Sequence, residues 1–272
     1  MTGCYDMTHR CALSESKWTL ANSWCISKLS AAIRGLATPD AAIDGPELRL
    51  YGGPADDLEL RYILFDPLPA PDAHVVLVGI TPGRTQLRRA IPAARQALSR
   101  GLDDDEVIRQ AKSAAAFGGP MRASLIWMLD RIGLPAALDI ASTETLFAAD
   151  AHLAVTTSAV CHAVFVHGED WNGKRPNILR HSLTRMFVEQ ILAQELRWSP
   201  AALVIPLGQI PALAVERCVQ TGAVHPTQVL TGVPHPSGAN NGRIYGSQPP
   251  AFRERLPELQ RRVAAWRSQF SS

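Results

Sequence analysis

The sequence predicts a three-layer α/β/α protein, in which a central four-stranded parallel sheet lies between helices on both faces. The main observation is that four short apolar runs alternate with stretches whose apolar residues recur at helical spacing. A strand that reaches the next strand through a helix pairs with it in parallel, by a right-handed crossover. The chain is also large enough, because 272 residues with 46% hydrophobic content can bury a substantial core.

The strands are predicted from runs rich in β-branched residues, as buried strands usually are. The four runs are HVVLVGI (74–80), HLAVTTSAV (152–160), ALVIPLG (202–208) and TQVLTGV (227–233). Helical patterns follow at 84–100, 121–134, 177–196, 210–219 and 257–270. The second of these patterns ends at Gly133, which we predict to be a helix C-cap.

The domain organisation is predicted to be simple. We expect residues 1–27 to be a poorly ordered lead-in, and residues 28–272 to form one domain. The lead-in lacks the apolar core of a secretory signal. The chain has no run of 18 apolar residues, so no membrane span is expected.

Composition limits the classes of partner and the compartment. A formal net charge of +2 neither indicates nor excludes nucleic acid as a partner. The five cysteines are odd in number and irregularly spaced, which argues against a disulfide framework. We therefore expect a reducing, cytoplasmic location.

The candidate site lies where the predicted strands end. Open parallel sheets bind ligands beyond the carboxyl ends of their strands. In this sequence the loops at those ends are 79–86, 158–165, 208–212 and 234–243. The last of these loops holds His235 in a rigid turn between Pro234 and Pro236.

Several familiar catalytic patterns are absent from the sequence. The stretch GEDWNGK (168–174) matches the first part of a phosphate-binding loop. However, Arg175 stands where that loop has a serine or threonine, and Pro176 stands where its helix should already have begun. The chain has no G-x-S-x-G elbow and no H-E-x-x-H zinc motif. The cysteine spacings do not form a metal knuckle, so no metal site is expected.

The loops resemble those of the uracil-DNA glycosylase superfamily. GITPG (79–83) is similar to its first motif, G-x-x-P-G, and HPSGANNGR (235–243) to its second, H-P-S-x-x-N. FGGPMRASLIWMLDRIGL (117–134) looks like the helix segment of the iron–sulfur members. TSAV (157–160) and IPLGQIPALAV (205–215) fall where further motifs belong, and the resemblance spans about residues 74–245.

The resemblance implies a DNA-repair enzyme that flips uracil, or a related deaminated base, out of DNA and removes it by hydrolysis. It implies catalytic roles for His235, which would donate to the leaving base, and for Thr81. Six residues would bind the substrate: Gly79, Ile80, Pro82, Gly83, Phe117 and Ser158. Four would contact DNA: Arg84, Ser237, Asn240 and Arg243.

The sequence departs from the family pattern at several positions. Thr81 stands where many members carry a carboxylate or amide that positions water, and Ser158 replaces the asparagine that reads uracil. The cluster cysteines are not reproduced, so we expect no iron–sulfur cluster and no other cofactor. The loop from Gly238 to Gly242 has no bulky apolar wedge, so we expect single-stranded or mismatched DNA as the partner of a monomeric protein.

Two other functions stay open at this point. A DNA-binding or product-capturing relative with little turnover is compatible with the missing carboxylate. An enzyme that acts on free nucleosides could use the same sheet.

Overall fold

The structure is a computed structural model, and it describes residues 26–53 and 57–269. Seven strands lie in these residues. They are β1 (Arg49–Tyr51), β2 (Glu59–Arg61), β3 (Val75–Gly79), β4 (Ala154–Ser158), β5 (Ala163–Val166), β6 (Glu169–Asp170) and β7 (Leu203–Pro206).

Helices occupy most of the remaining described chain. The α-helices are α1 (Ile26–Gly35), α2 (Ala41–Asp44), α3 (Arg84–Ser99), α4 (Asp104–Ala115), α5 (Pro120–Arg131), α6 (Leu134–Leu138), α7 (Ser182–Met186), α8 (Ala193–Arg197), α9 (Gln209–Gln220), α10 (Asn241–Ile244) and α11 (Phe252–Ser268). A π-helical turn, Phe187–Leu192, joins α7 to α8. Gly133 follows α5 with a φ of +84°, the left-handed conformation expected of a residue that ends a helix.

The parallel sheet has three strands in the order β4-β3-β7, so the prediction of four strands was wrong. The run 227–233 does lie beside β7, but it makes only an isolated bridge between Val229 and Val204. Gly232 has a φ of +108°, far from extended geometry, and Pro234 has no amide hydrogen to donate. The ladder therefore stops after the first pairing.

A second sheet was not predicted from the sequence. It is antiparallel, with the order β1-β2-β5-β6. β5 and β6 form a hairpin whose tip, His167 and Gly168, adopts positive φ angles of 50° and 77°. This hairpin carries the stretch GEDWNGK, and the next α-helix begins only at Ser182, which agrees with the rejection of a phosphate-binding loop.

Alternate residues of the central strand β3 face two different hydrophobic clusters. Val75 and Leu77 belong to a cluster that includes residues of α3, α4, α5 and α11. Val76 and Val78 belong to another, built from the π-helical turn and α9 among other elements. All five β3 residues are buried, as expected for a strand covered on both faces.

The predicted boundary at residue 28 falls inside a helix. Residues 1–25 of the predicted lead-in lie outside the described residues, and α1 begins at Ile26. Ile26 and Ile33 are buried in the same cluster as Leu77, so α1 is part of the core. Among the described helices, none is long and apolar enough to cross a membrane.

Replacing Leu77 in the centre of β3 tests this core. Leu77 is fully buried, so Leu77→Ala should lower the free energy of unfolding by about 3 kcal/mol, measured by urea denaturation. The matched control is Leu213→Ala on α9, because Leu213 is 39% exposed and should change stability by less than about 0.5 kcal/mol. Equal effects of the two substitutions would contradict the assignment of β3 to the core.

Candidate functional site

A cavity of about 710 Å³ opens at the carboxyl ends of the parallel strands. This volume is in the usual range for sites that bind small molecules. Eleven of the twelve predicted site residues line it: Gly79, Ile80, Thr81, Pro82, Gly83, Phe117, Ser158, His235, Ser237, Asn240 and Arg243. The predicted residues therefore meet at one cavity, although they make up less than half of its wall.

Gly79 brings the predicted stacking and reading residues together. It is the last residue of β3 and is paired with Ser158, the last residue of β4. A Cβ atom on Gly79 would lie 3.2 Å from the Ser158 Oγ and 3.5 Å from Cε1 of Phe117. The hydroxyl and the ring therefore both lie close to the Gly79 backbone, and a side chain at this position would crowd the Ser158 hydroxyl.

Phe117 is held in an uncommon backbone conformation. Its φ is +50°, in the left-handed region that aromatic residues rarely adopt. Gly119 follows with a φ of +75°, and Pro120 then begins α5. Such strain is typical of functional positions, and here it fixes a nearly buried ring at the cavity wall.

His235 is partly buried in the cavity wall, and its tautomer is assigned by one hydrogen bond. Pro236 has no amide hydrogen, and the amide of Ser237 donates to His235 Nδ1 at 3.3 Å. Nδ1 is therefore an acceptor, so the neutral ring carries its hydrogen on Nε2. Burial disfavours the charged imidazolium and lowers the pKa of His235 to about 4. At neutral pH the ring is an uncharged donor.

Gly208 holds the backbone of His235 in place. Its φ is +93°, and a Cβ atom there would lie 3.1 Å from the His235 Cβ. The Gly208 amide also donates to the Val233 carbonyl at 2.9 Å. The turn that precedes α9 and the turn that carries His235 are thus packed directly on each other.

The loop after His235 is ordered by its own polar groups. The Asn240 amide donates to Ser237 Oγ at 3.1 Å, and the Asn240 backbone N–H donates to the Ser237 carbonyl at 2.8 Å. Arg243 also lines the cavity. The predicted DNA-contacting residues Ser237, Asn240 and Arg243 therefore all belong to the cavity wall.

Arg84 is the predicted site residue that the structure places elsewhere. It begins α3, and its guanidinium donates to the Gly168 carbonyl, lies 5.3 Å from the centre of the Phe165 ring and is 3.7 Å from Asp44. These contacts direct the side chain toward the β5–β6 hairpin. A role in contacting DNA is not favoured by this geometry.

Thr81 faces the cavity, but its hydroxyl hydrogen is already used. Its Oγ1 donates to the His162 carbonyl at 2.7 Å. The hydroxyl oxygen can still accept a hydrogen bond, for example from water. Thr81 thus connects the loop 79–86, here called the first-motif loop, to the loop after β4.

A buried polar cluster lies behind this wall of the cavity. Thr157 on β4 donates to Glu195 Oε2 at 2.5 Å, and Lys112 lies 3.7 Å from the other oxygen of Glu195. Burial raises the pKa of Glu195, and it lowers the pKa of His162 to about 4.

A second buried pair belongs to the same cluster. Tyr62 donates to Asp66 at 2.6 Å, and burial raises the pKa of Asp66 to about 6. These groups support the backbone next to Thr81 and Ser158.

Sequence reasoning missed several residues of the cavity wall. Four come from the β5–β6 hairpin and the loop after it: Asp170, Trp171, Asn172 and Lys174. Arg255 of α11 and Gln248 also line the cavity. The glycine at position 173, in the stretch GEDWNGK, was a usable signal in the sequence. Gly173 adopts a φ of +80°, and a Cβ atom there would lie 2.3 Å from Ile210 Cγ2.

The described residues give no candidate metal centre. No three His, Cys, Asp or Glu side chains among them are grouped as metal ligands would be. Cys161 and Cys218 are free and buried, and burial raises the pKa of both thiols. Cys4, Cys11 and Cys25 lie outside the described residues.

The protonation of His235 can be measured directly. We expect nitrogen NMR to find a neutral ring with its hydrogen on Nε2 and a pKa of about 4, because burial disfavours the charged form. The His235→Ala variant identifies the signals of this ring. A hydrogen on Nδ1, or a midpoint near the ordinary histidine value of about 6.5, would contradict the assignment.

Comparison with known proteins assigns the family. No protein-family model and no solved structure matches the chain. The chain is similar to the uncharacterised protein YoxB of Bacillus subtilis (strain 168), with 33% identity over 196 residues. The similarity covers 72% of this chain and 75% of YoxB. The chain therefore belongs to the same protein family as YoxB.

Proposed function

We propose that the protein is a DNA-repair glycosylase that removes uracil, or a related deaminated base, from DNA by hydrolysis. The observation that carries this proposal is the neutral His235 ring, held with Nε2–H as its donor in the wall of a cavity that also presents Phe117. A base must leave the stack before an enzyme can reach its glycosidic bond, and such a cavity can receive it.

The leaving base is stabilised by a donor that needs no prior proton transfer. Breaking the bond between the sugar C1′ and the base nitrogen leaves negative charge on the pyrimidine ring and its carbonyl oxygens. A rigid donor aimed at this charge contributes about 3 kcal/mol to catalysis. The neutral His235 ring supplies such a donor, and the prolines on either side of it fix its backbone.

Stacking and hydrogen bonding can hold the flipped base. The Phe117 ring lies at the end of β3 and offers an apolar face to a base. The Ser158 hydroxyl lies next to it, where it can donate to or accept from the base edge. A hydroxyl rotates freely, so we propose broader base selectivity than a fixed side-chain amide would allow.

The cations of the cavity wall suit a nucleic-acid backbone. Three of the described residues that line the cavity are cationic, namely Lys174, Arg243 and Arg255. Ser237 adds a hydroxyl that can donate to a phosphate oxygen. With a net charge of only +2, the protein would rely on this local group of cations rather than on a global field.

Four further expectations belong to the proposal. A three-layer arrangement, with helices on both faces of the parallel sheet, is supported by the two hydrophobic clusters that contain alternate residues of β3. A cytoplasmic location is supported by the free thiols of Cys161 and Cys218. We also propose that the protein works as a monomer without an iron–sulfur cluster.

Base release from uracil-containing oligonucleotides tests the function. His235→Ala should slow single-turnover release by about a hundredfold or more, because a donor to the leaving base is lost. Thr81→Ala should cost less, since the Thr81 hydroxyl already donates to the His162 carbonyl. The matched control is His225→Ala, because His225 is exposed and does not line the cavity.

Each outcome separates the proposal from its rivals. Binding of the DNA without base release would favour a product-capturing or DNA-binding protein. Indifference to DNA would favour an enzyme of free nucleosides. Equal rates for His235→Ala and the native protein would remove His235 from the mechanism.

The form of the DNA should also matter. Flipping a base costs least when it is unpaired or mispaired, and the loop from Gly238 to Gly242 offers only Ala239 as an apolar residue to fill the vacated space. We expect single-stranded uracil to be released at least as fast as paired uracil, and uracil opposite guanine faster than uracil opposite adenine. A preference for the adenine-paired duplex would show that another part of the protein acts as a wedge.

A further inference from the structure

We propose that Asp170 of the β5–β6 hairpin holds and activates the water that attacks the sugar. This inference rests on the proposed glycosylase function and deepens it. Hydrolysis at C1′ needs a water molecule that can lose a proton as it attacks. Thr81, the residue in the first-motif loop at the expected position, has a neutral hydroxyl whose hydrogen is bonded to the His162 carbonyl at 2.7 Å.

Asp170 reaches the first-motif loop from another part of the chain. It is the last residue of β6, and its Oδ1 accepts from the Arg84 amide at 3.0 Å. A Cβ atom on Gly83 would lie 2.5 Å from Oδ2 and 2.9 Å from Cγ of Asp170. The carboxylate is therefore packed directly against the loop that lacks a carboxylate of its own.

The glycine at position 83 is explained by this approach. Its φ is −116°, which any residue can adopt, so the backbone itself does not require glycine. A Cβ atom here would displace the Asp170 carboxylate, so glycine is the residue that lets the carboxylate lie against the loop. Gly83 and Asp170 thus form one structural unit at the cavity wall.

Asp170 is the single carboxylate among the described residues that line the cavity. The other charged residues of that wall are Lys174, Arg243 and Arg255, all cationic. Positive charge develops on the sugar as the glycosidic bond breaks, and an adjacent carboxylate stabilises it. Among the described residues no donor is bonded to Oδ2, which leaves that oxygen to accept from a water.

The proposed step conserves atoms and electrons. The bond between C1′ and the base nitrogen breaks, and its electron pair leaves with the base, which accepts a hydrogen bond from His235. The water oxygen forms a new bond to C1′, and its proton passes to Oδ2 of Asp170. Solvent then returns a proton to the departed base and takes one from Asp170.

Asp170 also has a structural role that a test must separate from catalysis. By accepting from the Arg84 amide it satisfies one of the free amides at the start of α3. Asp170→Asn keeps an oxygen for this bond and removes the charge and the basicity. Asp170→Ala removes the bond as well.

The first experiment measures single-turnover release of uracil from a single-stranded oligonucleotide. Asp170→Asn should lower the rate on the order of a hundredfold, with unchanged DNA affinity and melting temperature. Glu169→Gln is the matched control, because Glu169 is the other carboxylate of β6, is exposed as Asp170 is, and does not line the cavity. This control should release uracil at the native rate.

A second variant tests the position of the Asp170 carboxylate and leaves Asp170 itself unchanged. Gly83→Ala places a methyl group where the Asp170 carboxylate lies and should displace it, so this variant should lose activity as Asp170→Asn does. The double variant should be no slower than the slower single variant, because both act on the same group. Additive losses would overturn the assignment.

The remaining outcomes decide between this inference and the proposed function. If the native protein releases uracil and Asp170→Asn does so within twofold of the native rate, the assignment of Asp170 is overturned and the function stands. If Asp170→Ala alone loses activity, together with stability, the residue is only a helix cap. If the native protein releases no base, both proposals fail.

Discussion

The hydrogen bond from the Ser237 amide to His235 Nδ1 is the interaction on which the whole site depends. It assigns the hydrogen of the neutral ring to Nε2, and Pro236, between the two residues, has no amide hydrogen of its own. Gly208 then supports the same residue from the adjacent turn. Under the proposed function, an imidazole held in this way would stabilise a leaving anion by its position, without first gaining a proton.

Close backbone approach at glycines assembles the rest of the cavity. Ser158 and Phe117 both lie close to Gly79 at the end of the central strand, and Gly83 lets Asp170 lie against the loop 79–86. These contacts connect the parallel sheet with Phe117, which lies just before α5, and with the β5–β6 hairpin. Small residues at these positions therefore serve packing between elements more than chain flexibility.

The sequence alone predicted the features that depend on local pattern. The strand ends and the helix after Phe117 follow from hydrophobic periodicity, and His235 follows from its prolines. Sequence could not predict Asp170, because its place depends on the pairing of β2, β5 and β6 across more than a hundred residues. The fourth strand was over-predicted, since the apolar pattern of 227–233 does not reveal that Gly232 leaves extended geometry.

The proposed role of His235 can be tested by a crystal structure of the protein bound to a uracil-containing oligonucleotide. A fluorine at the sugar 2′ position of the oligonucleotide would block cleavage. We expect the uracil to be flipped into the cavity and stacked on Phe117, with one carbonyl oxygen within hydrogen-bonding distance of His235 Nε2. A uracil that stays in the DNA stack, or a His235 ring that contacts only a phosphate, would contradict it.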